Sequence, residues 1–122
     1  MTATTLEQSR KLIELGISSD TADMHYAFSA IGGPAFQDMI DASAILLPSS
    51  HNTKYPYEPA WSLSALLELM PKVNGHYPDL CRGKETGFYY MWIEDVFDTQ
   101  TFPNPIDAAF EMVCWLKENS KI

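Results

Sequence analysis

Three histidines, His25, His51 and His76, are the side chains in this sequence best suited to hold a metal ion or carry a proton, yet none stands in an H-x-x-x-H or H-E-x-x-H spacing. Asp20, Asp23 and His25 would meet Glu94, Asp95 and Asp98 if the turns at two strand ends fell together. Oxygen and imidazole donors would then surround a divalent ion. The ordinary explanation carries more weight: Asp20 caps a turn, Asp23 and Glu94 lie on a solvated strand edge, and Asp95 and Asp98 belong to a connection. No metal and no cofactor is therefore expected.

Nucleophilic chemistry has less support. Ser62 and Ser64 fall inside a helical pattern and lack the strained strand-to-helix turn of a G-x-S-x-G elbow. Gly32-Gly33-Pro34 lacks the lysine and the spacing of a phosphate loop and reads as a turn. Cys81 and Cys114 are far apart and form no Cys-x-x-Cys pair, which excludes a zinc ribbon or a disulfide framework. Cys114 reads as a small apolar residue in a helix and Cys81 as a loop thiol, as suits a reducing compartment. No catalytic residue is assigned.

The remaining candidate is a recognition feature. Tyr55-Pro56-Tyr57-Glu58-Pro59-Ala60-Trp61 mixes prolines and aromatics, a composition that stiffens an exposed ridge. Trp61 opens an apolar helix and is expected to pack, which leaves Tyr55 and Tyr57 as candidate binding residues for a protein partner.

Positioning these residues requires a framework, and the sequence supplies one. Thr4-Thr5-Leu6-Glu7 reads as a capping box led by Thr4, with a helix from about Leu6 to Leu15 and a left-handed stop at Gly16. Ser18-Ser19-Asp20-Thr21 should turn the chain before a short strand marked by Met24, Tyr26 and Phe28. Residues 36–47 fit helix or strand, and residues 48–58 read as a loop. Between Pro59 and Pro71 the apolar spacing of Trp61, Ala65, Leu66 and Leu69 predicts a central buried helix, with Pro59 in its first turn. Asn74-Gly75 is a turn signal, and the polar loop from Arg82 to Gly87 reads as the turn of a hairpin. Phe88–Ile93 is the strongest strand signal, with a shorter companion between Val96 and Phe102. Asn104-Pro105-Ile106-Asp107 combines an N-cap, a first-turn proline and an early acid, so a C-terminal helix should follow, buried along Ile106, Ala109, Phe110, Val113 and Leu116. The sum is a single α+β domain over residues 1–122, a small antiparallel sheet covered on one face by about three helices.

Composition bounds the function. The chain has 122 residues, 46% hydrophobic and 20% charged, enough for an unstapled core. Sixteen carboxylates against eight lysines and arginines give a net charge of −8, and the cations are scattered. Direct nucleic-acid binding, which needs clustered cations, is not expected. No stretch approaches the ~18 apolar residues of a membrane span, and the first residues lack the basic start and apolar run of a secretory signal. A cytoplasmic location is expected.

Thr21-Ala22-Asp23-Met24, Pro59-Ala60-Trp61-Ser62-Leu63 with Leu66-Leu67-Glu68-Leu69 and Pro71, and Asp107-Ala108-Ala109 with Met112 and Trp115-Leu116 resemble small uncharacterised proteins encoded in prophages and related mobile elements. The resemblance touches most of the chain and implies a genomic setting, with no activity and no functional residue attached. The expected function is thus a non-enzymatic accessory or adaptor role through protein contacts. An acidic nucleic-acid mimic that blocks a basic host protein is one alternative, and a small metal-dependent hydrolase is another.

Overall fold

The computed structural model describes residues 2–27, 45–48 and 57–122. Within them lie helix α1 (Leu6–Glu14), a 3-10 turn (Ser19–Thr21), strands β1 (Met24–Ala27), β2 (Ile45–Pro48) and β3 (Tyr57–Ala60), and helix α2 (Leu63–Glu68). Strands β4 (Asp79–Arg82), β5 (Tyr89–Ile93) and β6 (Phe97–Asp98) follow, and helix α3 (Pro105–Glu118) closes the order. The class is α+β. The strands form two three-stranded antiparallel sheets, ordered β2-β1-β3 and β4-β5-β6.

The start of α3 and the end of α1 follow their sequence signals. Asn104 Oδ1 accepts the Asp107 amide at 2.9 Å, Pro105 occupies the first helical turn, and α3 buries Ile106, Ala109, Val113 and Leu116 together with Ala108 and Met112. At the end of α1, Gly16 takes φ +98°, while its amide donates to Ile13 O and the Ile17 amide to Leu12 O, both at 3.0 Å. This paired closure satisfies two of the helix's orphan carbonyls.

The start of α1 differs from expectation by one residue. Thr5, not Thr4, is the N-cap: its hydroxyl accepts the Gln8 amide at 3.1 Å, and Gln8 Oε1 accepts the Thr5 amide at 3.0 Å. Thr4 is fully buried and used elsewhere. Its hydroxyl shares a hydrogen bond with Ser9 Oγ at 2.8 Å and accepts the Trp61 amide at 3.1 Å, its own amide donates to Trp61 O at 2.9 Å, and its carbonyl accepts the Tyr26 hydroxyl at 2.8 Å.

The proline-fenced segment is also shorter than its periodicity suggests. Pro59 lies in β3, opposite His25 of β1, and α2 starts only at Leu63 with Ser62 as N-cap. In the sheet β2-β1-β3 strand β3 is at the edge, where a residue without an N–H is tolerated. The Asp23 carboxylate accepts both the amide and the hydroxyl of Ser62, which fixes where the strand stops and the helix begins. Trp61 at this junction is fully buried and donates its indole N–H to Thr21 Oγ1 at 2.9 Å. Ala65 and Leu66 join it in the core, whereas Leu67 faces solvent, so α2 is apolar beyond its buried face. Helix α2 packs on α3.

The second sheet is a hairpin extended by an irregular return. Asn74 and Gly75 both have positive φ, +53° and +82°, in a two-residue turn bridged by Val73 and His76. Strands β4 and β5 pair from Asp79–Trp92 to Arg82–Tyr89, and Arg82 Nε donates to Gly87 O at 3.0 Å to close the loop. The companion of β5 is regular only at Phe97–Asp98. Beyond it, Thr99 receives the Met91 amide on its hydroxyl at 2.9 Å and donates its own amide to Met91 O at 2.8 Å, and Phe102 then pairs with Tyr89. Helix α3 covers β5, and its Trp115 stacks on Phe97 with ring centroids 4.6 Å apart. Met91 and Ile93 of β5 and the buried face of α3 therefore share one core with Leu12, Trp61 and Leu66.

Candidate protein-contact surface

The acids and histidine considered for metal binding divide between the two sheets and the turns beside them. Asp23 is engaged by Ser62, Asp20 sits in the 3-10 turn, and His25 is buried in β1. Glu94 and Asp95 form the β5–β6 turn, where Asp95 has φ +61°, and Asp98 lies in β6. Among the described residues no group of three or more His, Cys, Asp or Glu side chains is placed to hold a metal ion. His51 lies outside the described residues, as do Gly32-Gly33-Pro34 and Phe28. Ser62 is spent on capping α2, its hydroxyl accepting the Ala65 amide at 3.2 Å.

Cys81 is in strand β4 rather than in a loop, opposite Tyr90. Its sulfur raises the Tyr90 phenol above its ordinary value, because a negative charge there opposes ionisation of the ring oxygen. Cys114 is half-buried on α3. Burial, reinforced by the Glu118 carboxylate, pushes its thiol up to about 11, against the opposing pull of Lys11. A thiol protonated at neutral pH is a poor nucleophile. Between about pH 9 and pH 11 the folded chain keeps the Cys114 proton that the unfolded chain has lost, so this residue is expected to make stability fall as pH rises through that window. Alkaline melts of the wild type and of Cys114→Ala, which cannot titrate there, test this: the slopes should differ only above pH 9.

Of the two candidate binding tyrosines, Tyr55 lies outside the described residues, and Tyr57 is the first residue of β3, paired with Ala27. Farther along the same strand, Glu58 and Pro59 face helix α1 across an open cleft of about 250 Å³, lined also by Ser9, Arg10 and Ile13. The Arg10 guanidinium spans this cleft to Glu58 in a forked pair, Nε to Oε2 at 2.9 Å and Nη2 to Oε1 at 2.8 Å. Both partners are solvated, so the pair adds at most about 1 kcal/mol and serves mainly to fix a side chain. Ile13 is 42% exposed beside it.

The opposite flank of α1 faces α3. There an open cleft of about 510 Å³ is lined by Leu6, Glu7, Gln8, Arg10, Lys11, Glu14 and Phe110. It adjoins a second, of about 370 Å³, through the shared residues Gln8 and Phe110, with Phe102, Asp107, Glu111 and Cys114 completing the wall. The groove is built by one cross-tie: Gln8, having closed the α1 cap with Oε1, donates Nε2 to Asp107 Oδ1 at 2.6 Å, and Asn104 Nδ2 holds the other Asp107 oxygen at 2.7 Å. Glu111 Oε2 accepts the Gln100 amide at 3.0 Å. The caps of both helices thus set the width of the groove. Periodicity marked the buried face of α3 but gave no sign that Phe110, on its margin, would be left half-covered between two helices.

Among the described residues no helix is long and apolar enough to cross a membrane. Comparison with protein-family models, with curated proteins and with solved structures found no match to this chain.

Proposed function

We propose that this is a non-enzymatic accessory or adaptor protein, acting in the cytoplasm through contacts with another protein, and that helix α1 is the centre of its contact surface. The observation that supports this reading is the pair of open flanks along α1. Each has an apolar floor, Leu6 and Phe110 on one side and Ile13 and Pro59 on the other, bordered by charged side chains. An apolar centre with a polar rim is the anatomy of a protein interface, whereas a small-molecule site encloses most of its ligand. Tyr57, the first residue of β3, and Tyr55 join the proposed contact set on their sequence, as aromatics alternating with prolines. An origin in a mobile element is part of the proposal, resting on the resemblance of the Pro59–Leu63 and Asp107–Leu116 blocks. A nucleic-acid mimic is favoured less, because the acids on these flanks are interspersed with Arg10 and Lys11 instead of forming an unbroken phosphate-like array.

Selection of a displayed random-peptide library on the immobilised protein tests the reading. Enriched sequences are expected, and their binding should weaken on Ile13→Lys or Tyr55→Ser/Tyr57→Ser, with folding unchanged in thermal melts. If rounds of selection enrich nothing above the bare support, the adaptor reading fails.

A further inference from the structure

We infer that the groove between α1 and α3 takes a basic peptide segment carrying a large apolar side chain; this rests on the adaptor reading and names the chemistry of its partner. The two adjoining clefts contribute four carboxylates, Glu7, Glu14, Asp107 and Glu111, and two cations, Arg10 and Lys11, a difference of two negative charges. The balance at the rim is more lopsided than that count. The Arg10 guanidinium also forks to Glu58 on the other flank of α1, so its charge is shared with a fifth carboxylate. Glu7 and Glu14 are exposed two turns apart on α1 and line the open groove.

Beneath this rim the floor is apolar. Leu6 is buried, and the half-buried Phe110 ring is shared by both clefts, with Phe102 beyond it. A leucine or phenylalanine from a partner would gain the Phe110 contact and remove that ring from water. Lysines or arginines on either side would then meet Glu7 and Glu14. An acidic segment would face the same carboxylates unpaired, and repulsion of that kind excludes partners as effectively as attraction selects them. The chain's net charge of −8 adds long-range steering of the same sign.

Fluorescence anisotropy with three labelled dodecapeptides separates the local groove from general charge attraction. One combines lysines with two leucines, the second replaces the leucines by serine at equal charge, and the third replaces the lysines by glutamate. The lysine–leucine peptide should bind at least about tenfold more tightly than either of the others. Glu7→Lys/Glu14→Lys should weaken it by a similar factor. Glu85→Lys/Glu94→Lys, an equal charge change on the turns flanking β5, should weaken it less than threefold. Both pairs are exposed, so melting temperatures should stay close to that of the wild type. Equal binding of the leucine and serine peptides, or equal losses from the two double variants, would reduce the effect to non-specific attraction and overturn the inference. Enrichment of acidic or uncharged sequences in the random-peptide selection would also overturn it while leaving the adaptor reading intact; enrichment of nothing would remove both.

Discussion

Trp61→Ala is expected to be the most damaging single substitution at the junction of β3 and α2, costing about 3–5 kcal/mol, the range for deleting a large aromatic side chain from a packed core. Trp61 is fully buried among residues from both halves of the chain, and its indole N–H is the one donor it must place. Thr21 Oγ1 receives it, and the Thr21 hydroxyl in turn donates to Ser18 O at 2.6 Å. Truncation removes the ring volume and leaves this polar relay without its donor. For a domain of this size a loss of 1 kcal/mol lowers the midpoint by roughly 2–8 °C, so Trp61→Ala should fall by well over 6 °C or fail to fold. Trp61→Phe discriminates the two contributions, since it keeps most of the volume and loses the N–H. It should recover more than half of the lost stability, as read by denaturant titration, and equal losses for the two variants would show that the hydrogen bond outweighs packing.

Thr4→Val is the second large effect, expected at about 1–3 kcal/mol although the side chain barely changes shape. The substitution leaves the Trp61 amide and the Ser9 hydroxyl buried without the oxygen they share. Thr5→Val, one residue along and exposed, removes a helix cap and should cost about 0.5–2 kcal/mol, the range for losing an N-cap side chain. Thr4→Ser restores the hydroxyl and is expected to recover most of the Thr4→Val loss. If Thr4→Val is instead neutral, the stitch between the first strand-like residues and Trp61 contributes nothing net.

These two positions also show which parts of the fold could be seen beforehand. Thr4-Thr5-Leu6-Glu7-Gln8 contains two overlapping capping boxes, Thr4 with Glu7 and Thr5 with Gln8, and their local energies are nearly equal. The choice falls to tertiary structure: Thr4 is needed by Trp61, which leaves Thr5 to cap. Pro59 has the same ambiguity, since proline suits the first turn of a helix and the edge of a sheet alike, and only the pairing of β3 with β1 decides. Asn104-Pro105-Ile106-Asp107 left no such choice, and its helix starts where the residues place it. The division of the strands into two sheets depends on which segments pair at a distance, which periodicity does not encode. Periodicity identifies a buried stripe, but a groove forms where two stripes end, and Phe110 needed both α1 and α3 to be positioned.

The Gln8–Asp107 tie has a consequence in time as well as in space. Its partners stand 99 residues apart, so the groove cannot exist while the chain is being made until the first turn of α3 has emerged. Until then α1 can pack on β3 but lacks the α3 wall of the groove. A groove assembled from residues this far apart is withheld from every shorter nascent product, and a truncated chain that stopped before Asn104 would carry α1 without it.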